Sequence, residues 1–122
     1  MSKTNPISLI NKKTGNWWAD HRKDWCAYCG VALEKGGTRP ATATRDHVFP
    51  RAHQGRHVTI PSCRCCNQAK ANKSLAEFML TPHFNQARER RLPHQWPLRD
   101  LWLVMALAAV EQARSFSDEW PS

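Results

Sequence analysis

Apolar and polar positions fall into short, dissimilar blocks along this chain. Residues 1 to about 25 are polar and basic, with Trp17, Trp18 and Trp25 as isolated anchors. A short helix fits within 16–24, broken from what precedes by Gly15 and Asn16. Residues 26–30 read as a turn closed by Gly30, and 34–40, with Gly36, Gly37 and Pro40, as a loop. Weak alternation over 41–49, carried by Thr42, Thr44, Val48 and Phe49, predicts a strand. A second short strand is predicted at 57–60, across a loop at 50–55.

After Cys66 the pattern turns helical over 67–73. Ser74 and Glu77 then form a capping box that starts a new helix at about Leu75. Thr81-Pro82 interrupts it, a further helix fits 83–91, and Pro93 and Pro97 frame a linker around Trp96. The last helix covers about 98–116, where Leu98, Leu101, Trp102, Met105, Ala109 and Phe116 recur on one face. Leu103, Val104, Leu107 and Val110 widen that face. Such a helix is either sandwiched in the core or shared with a partner, in a homodimer or a larger complex.

Two strands followed by helices make an α+β fold, and 122 residues make one domain, 1–122. A core this small gains from a metal staple. Eighteen Lys and Arg against ten Asp and Glu give a net charge of +8, which favours an anionic partner such as nucleic acid. Five cysteines are an odd count for a secreted disulfide scaffold, and the first residues hold no apolar stretch long enough for a signal peptide. The expectation is a cytoplasmic protein with reduced thiols. The longest apolar run, 101–110, is too short to span a bilayer, so no membrane is expected.

The cysteines carry the first chemical signal. Cys26 and Cys29 form one Cys-x-x-Cys pair, Cys63 and Cys66 a second. Each pair can wrap one edge of a tetrahedral ion, which makes a four-thiolate zinc site the favoured reading over buried or redox-active cysteines. Lys23, Arg64 and Lys70 stand near enough in sequence to offset its charge. With every position filled by sulfur, that zinc is structural, and catalysis requires another ion. Cys65 is left over as a small buried or half-exposed thiol.

Between the pairs lies Asp46-His47, and directly after the second lies Asn67. Asp46 offers a hard oxygen suited to Mg²⁺ or Mn²⁺, and Asn67 an amide oxygen. On a strand Asp46 and His47 point to opposite faces, so the backbone must bend for both to reach one site.

The order Cys-x-x-Cys, Asp-His-Val-x-Pro, Cys-x-x-Cys-Asn-x-x-Lys resembles the HNH endonuclease family, whose core is the ββα-metal or His-Me finger. It looks most like the four-cysteine zinc branch, which includes phage junction-resolving endonucleases and many phage and bacterial HNH proteins. The resemblance covers about 25–80, leaving 83–116 as a helical extension. It implies a bacterial or phage-encoded enzyme that hydrolyses DNA phosphodiester bonds with one divalent ion. It also implies His47 as the general base, Asp46 and Asn67 as ligands of that ion, and Lys70 as a contact to the phosphate backbone. A neutral imidazole is a competent base near neutral pH, and a hard cation stabilises the charge building on phosphorus, so the chemistry agrees. One position departs from the family: no Asn occurs between His47 and Cys63. Val58 stands in its register, with Gln54, His57 and Thr59 nearby.

Arg45, Arg51, Arg56, Arg64, Lys70 and Lys73 surround these motifs in sequence and would neutralise phosphates if they share a face. The run Arg88-Glu89-Arg90-Arg91 reads as a solvated helix face, and His83 as structural or surface. Two rival functions stand beside the nuclease. One is a noncatalytic zinc-ribbon module that binds DNA or protein; the other is a nuclease subunit active only in a larger complex.

Overall fold

The computed structural model describes residues 17–48 and 58–119, with side chains as far as 113. The expected loop at 50–55, with Arg51 and Arg56, and also Gln54 and His57, lies outside the described residues.

The helix expected within 16–24 forms as two short 3-10 turns, Trp17–Ala19 and His21–Asp24. Asp20 divides them: its extended backbone ends the first, and its carboxylate accepts from Arg22 N at 2.9 Å to cap the second. The cysteine turn follows, closed by a bond from Gly30 N to Cys26 O of 2.9 Å. Gly30 has φ +79°, and a Cβ there would meet Leu92 and Gln95 at 2.9 Å, so the position needs glycine twice over.

Strand β1, Ala43–His47, pairs antiparallel with β2, Thr59–Cys63, setting Ala43 opposite Cys63 and His47 opposite Thr59. β2 therefore starts later than the sequence pattern suggests and runs into the second cysteine pair. Its Pro61 lacks a donor, which suits a strand with an open edge; its carbonyl accepts from Ala27 N at 2.9 Å and so ties the cysteine turn to β2.

Helix α1, Arg64–Lys70, follows without a break, with Cys63 as its N-cap. It ends three residues short of the expected 73, because Ala71 takes φ 50°. Helix α2, Leu75–Phe78, carries the expected capping box in full: Ser74 Oγ accepts from Glu77 N, and Glu77 Oε1 accepts from Ser74 N. Thr81 caps α3, Pro82–Glu89, with proline in its first turn. Helix α4, Leu98–Glu119, begins where expected and runs beyond 116. The fold is thus α+β, and no helix among the described residues is long and apolar enough to cross a membrane.

Tyr28, Phe78 and Phe84 meet edge-on, with centroids 4.9 to 6.3 Å apart, at the middle of the core. Ile60, Val48, Leu75, Leu101 and Val104 are buried in the same cluster. Helix α4 corrects one expectation: it buries Leu101, Val104, Leu107 and Ala108, while Leu98 and Trp102 are 49% and 60% exposed. Ala109 is also exposed and Met105 half-buried. The apolar set on this helix covers more than one face, so periodicity alone does not choose which face docks.

Because Phe78 holds the three-ring cluster together, Phe78→Ala is expected to lower unfolding stability by about 3–5 kcal/mol in urea denaturation. A loss below about 1 kcal/mol would contradict this packing.

Candidate functional site

The two cysteine pairs, far apart in sequence, meet in space. Cys26 and Cys29 come from the turn, Cys63 from the end of β2 and Cys66 from the first turn of α1. All four are buried and free of disulfides, and their sulfurs lie within 4.8 Å of one another. A tetrahedron with metal–sulfur bonds of about 2.3 Å has edges of about 3.8 Å. Cys29 Sγ and Cys63 Sγ are 3.8 Å apart. The quartet therefore fits a tetrahedral thiolate metal such as zinc. A cleft of about 280 Å³, lined by Cys29, Cys65, Cys66, His83 and Arg90, adjoins it. Cys65, expected to be buried or half-exposed, is exposed and stands outside the quartet.

The quartet's own chemistry calls for a cation. Burial opposes ionisation of Cys26, but hydrogen bonds from Cys29, Cys63 and Cys66 hold it well below the ordinary thiol range. Those same contacts with Cys26 and Cys29 push Cys63 and Cys66 far up. Cys29 is lowered as well, so the quartet divides into two thiols held down and two pushed up; a divalent cation would supply the charge that lets all four ionise.

Surrounding groups support the quartet, though not those expected. Lys70 is committed elsewhere, Lys23 is exposed, and Arg64 donates to Thr38 O. Support comes instead from α3. His83 Nε2 lies 3.5 Å from Cys66 Sγ, and Arg88 Nη1 donates to Tyr28 O at 3.2 Å and Ala27 O at 3.4 Å. Gln95 Nε2 donates to Cys29 O at 3.2 Å. Arg88 is thus half-buried against the cysteine turn, unlike the exposed Glu89, Arg90 and Arg91 that follow it. Sequence spacing holds no sign of His83: it is brought in by the Thr81-Pro82 helix start, which aims the first turn of α3 at Cys66.

Asp46 sits on the other side of α1's attachment to the sheet. Strand geometry puts Thr44 and Asp46 on one face of β1, and Ala43, Arg45 and His47 on the other. The first face meets α1: Asn67 Nδ2 donates to Thr44 Oγ1 at 3.0 Å, and Thr44 Oγ1 donates to Ser62 O at 2.8 Å. One turn further, Lys70 Nζ donates to Asp46 Oδ1 at 3.2 Å and to His47 O at 2.8 Å. Tyr28 OH donates to Asp46 Oδ2. Burial raises the Asp46 carboxyl above its ordinary range, against the opposing pull of the Lys70 charge and the bonds from Tyr28 and Lys70. Burial and the Asp46 charge push the Tyr28 hydroxyl well up, so it stays a proton donor.

Several site expectations change in consequence. Lys70, expected on the phosphate backbone, is 1% exposed and bonded to Asp46. The bend expected at the dyad is absent: β1 stays paired through His47, which leaves His47 half-buried on the face opposite Asp46. Asp46 and Asn67 face the same strand surface, but both Asp46 oxygens are bonded, and an ammonium already stands where a cation would bind. In this arrangement they do not fit a hard divalent ion, which would have to displace Lys70. Arg45 and Lys73 are exposed, as a phosphate contact requires. Val58, in the register of the missing Asn, is buried, and its carbonyl accepts from Val48 N at 3.0 Å. Val48 O in turn accepts from Leu75 N at 3.1 Å, so backbone bonds fix Val48, the residue after His47. Tyr28, the chain's single tyrosine, reads in sequence as a spacer between two cysteines, which hid its role.

Comparison with known protein families, with curated proteins and with solved structures finds no match.

Two outcomes follow. Lys70→Met leaves a buried carboxylate without its cation, and is expected to cost about 3–5 kcal/mol in urea denaturation; a change under about 1 kcal/mol would contradict the buried pair. His83→Phe removes the imidazole beside Cys66 and is expected to speed loss of the bound ion to a chelator about tenfold, with an unchanged rate contradicting its role.

Proposed function

We propose that the chain is a DNA endonuclease of the HNH, ββα-metal type, with a structural zinc in the Cys26, Cys29, Cys63 and Cys66 quartet. One observation carries this reading: an antiparallel strand pair runs through Cys63 directly into a helix whose Asn67 is bonded to the strand face that holds Asp46. The cysteine quartet spans that junction and supports the same frame. The net charge of +8 and the exposed Arg45 and Lys73 suit a DNA partner.

In this reading His47 takes the proton from the water that attacks phosphorus, while the P–O3′ bond breaks and the leaving oxygen takes a proton from a solvent water. Lys70, through its bond to His47 O, holds the backbone that presents the imidazole. A hard divalent ion, Mg²⁺ or Mn²⁺, would supply charge stabilisation at the phosphate. Asp46 and Asn67 are the residues assigned to it, which requires Asp46 to exchange Lys70 for the ion.

A second reading is favoured by that closed ion pair and by His47 lying across the strand from Asp46: a noncatalytic zinc-stapled module that binds DNA. Plasmid nicking with added Mg²⁺ or Mn²⁺ separates the two. The nuclease reading expects nicking by the wild type and a loss of about 10²-fold or more in His47→Ala. Nicking that is absent, or equal in both proteins, leaves the binding module. Both readings share the zinc, and its removal by a chelator is expected to lower the melting temperature sharply, since structural zinc contributes directly to folding. An unchanged melting temperature would exclude that staple.

A further inference from the structure

The face of β1 that carries His47 holds a second feature that the dyad and the cysteines do not use. A groove of about 320 Å³ lies there, lined by Trp17, Trp18, Lys23, Lys35, Arg45 and Pro61. Trp17 forms its fixed wall: it is 3% exposed, and its Nε1 donates to Thr59 O at 2.7 Å, which anchors the N-terminal turn to β2. Trp18 stands edge-on to it, with centroids 5.7 Å apart and rings at 80°. Trp18 is nevertheless 49% exposed, so burial gives little reason for its indole to be there. Arg45 holds its guanidinium 5.7 Å from the Trp17 ring centre, and Lys23 and Lys35 are exposed on the rim. Asp24 also lines the groove, and the three cations outnumber it.

We infer that this groove binds an unpaired stretch of DNA, with one base stacked on Trp18 and the adjoining phosphates on Lys35 and Arg45. An exposed indole offers a flat apolar face to a base, and stacking of this kind tolerates any sequence. Within a duplex each base face is already covered by its neighbours, so the groove selects unpaired or unstacked nucleotides. The position supports the same occupant. Ala43, Arg45 and His47 alternate along one strand face, so His47 lies one two-residue step, about 7 Å, beyond Arg45. A strand held on Trp18 and Arg45 is thereby led toward His47. This last point rests on the nuclease reading and names its substrate class, DNA with single-stranded or disrupted segments; the binding claim stands without it.

The test is equilibrium binding by the full chain, without added divalent ion so that nothing is cut. The probes are a fluorescent oligothymidylate and a duplex of the same length, at one salt concentration. Trp18→Ala is expected to weaken oligothymidylate binding about tenfold or more, and to change duplex binding less than about twofold; Trp18→Phe keeps most of the affinity. Lys35→Ala and Arg45→Ala are each expected to reduce the salt dependence of oligothymidylate binding by about 0.7 in the log–log slope. Oligothymidylate binding unaffected by Trp18→Ala, or equal losses on both probes, would overturn the inference. Since binding is read without cleavage, a protein that fails to nick yet shows the Trp18 dependence supports the groove while removing the nuclease.

Discussion

Four sulfurs brought within 4.8 Å of one another tie the turn at Cys26 and Cys29 to the junction of β2 and α1. The same turn is also held by the bond from Ala27 N to Pro61 O and by Tyr28 in the core, and the quartet adds to these contacts. A two-stranded sheet is marginal by itself in water, and a seven-residue helix is shorter than any that stands alone. The quartet turns them into one rigid corner. That corner sets where Asn67 and Lys70 point, because both lie on α1 within two turns of the Cys63 cap.

On that corner rests a second constraint of a different kind. The Asp46 carboxylate, Lys70 ammonium and Tyr28 hydroxyl join the strand, the helix and the cysteine turn inside the core. Removing two charges from water costs several kcal/mol for each, and the arrangement offsets this only with every lone pair near its partner. Lys70 also bonds His47 O, so one side chain ties both Asp46 and the end of β1 to α1. For the proposed chemistry it cuts both ways, since it positions His47 while it closes Asp46.

The elements set by local chemistry were readable from the residues. Ser74 and Glu77 cap a helix through contacts within four residues, and Thr81-Pro82 starts another. The cysteine quartet was readable because metal geometry restricts spacing so tightly. What escaped depends on distant partners. Lys70 shares a helix face with Asn67, so its reach toward β1 follows from an i, i+3 spacing, but its partner Asp46 is 24 residues away. His83 meets Cys66 across 17 residues and an intervening helix. Helix α4 misled for another reason: with apolar residues on most of its circumference, the face that docks is chosen by the surface it meets, which buries Leu101 and Val104 and leaves Trp102 in solvent.

X-ray absorption at the zinc edge of the purified full chain tests most directly whether the quartet holds a thiolate-bound metal. The expected result is one zinc per chain with four sulfur neighbours at about 2.3 Å and no nitrogen or oxygen in the shell. Absence of zinc, a disulfide among these cysteines, or a mixed shell that includes a nitrogen ligand would contradict it.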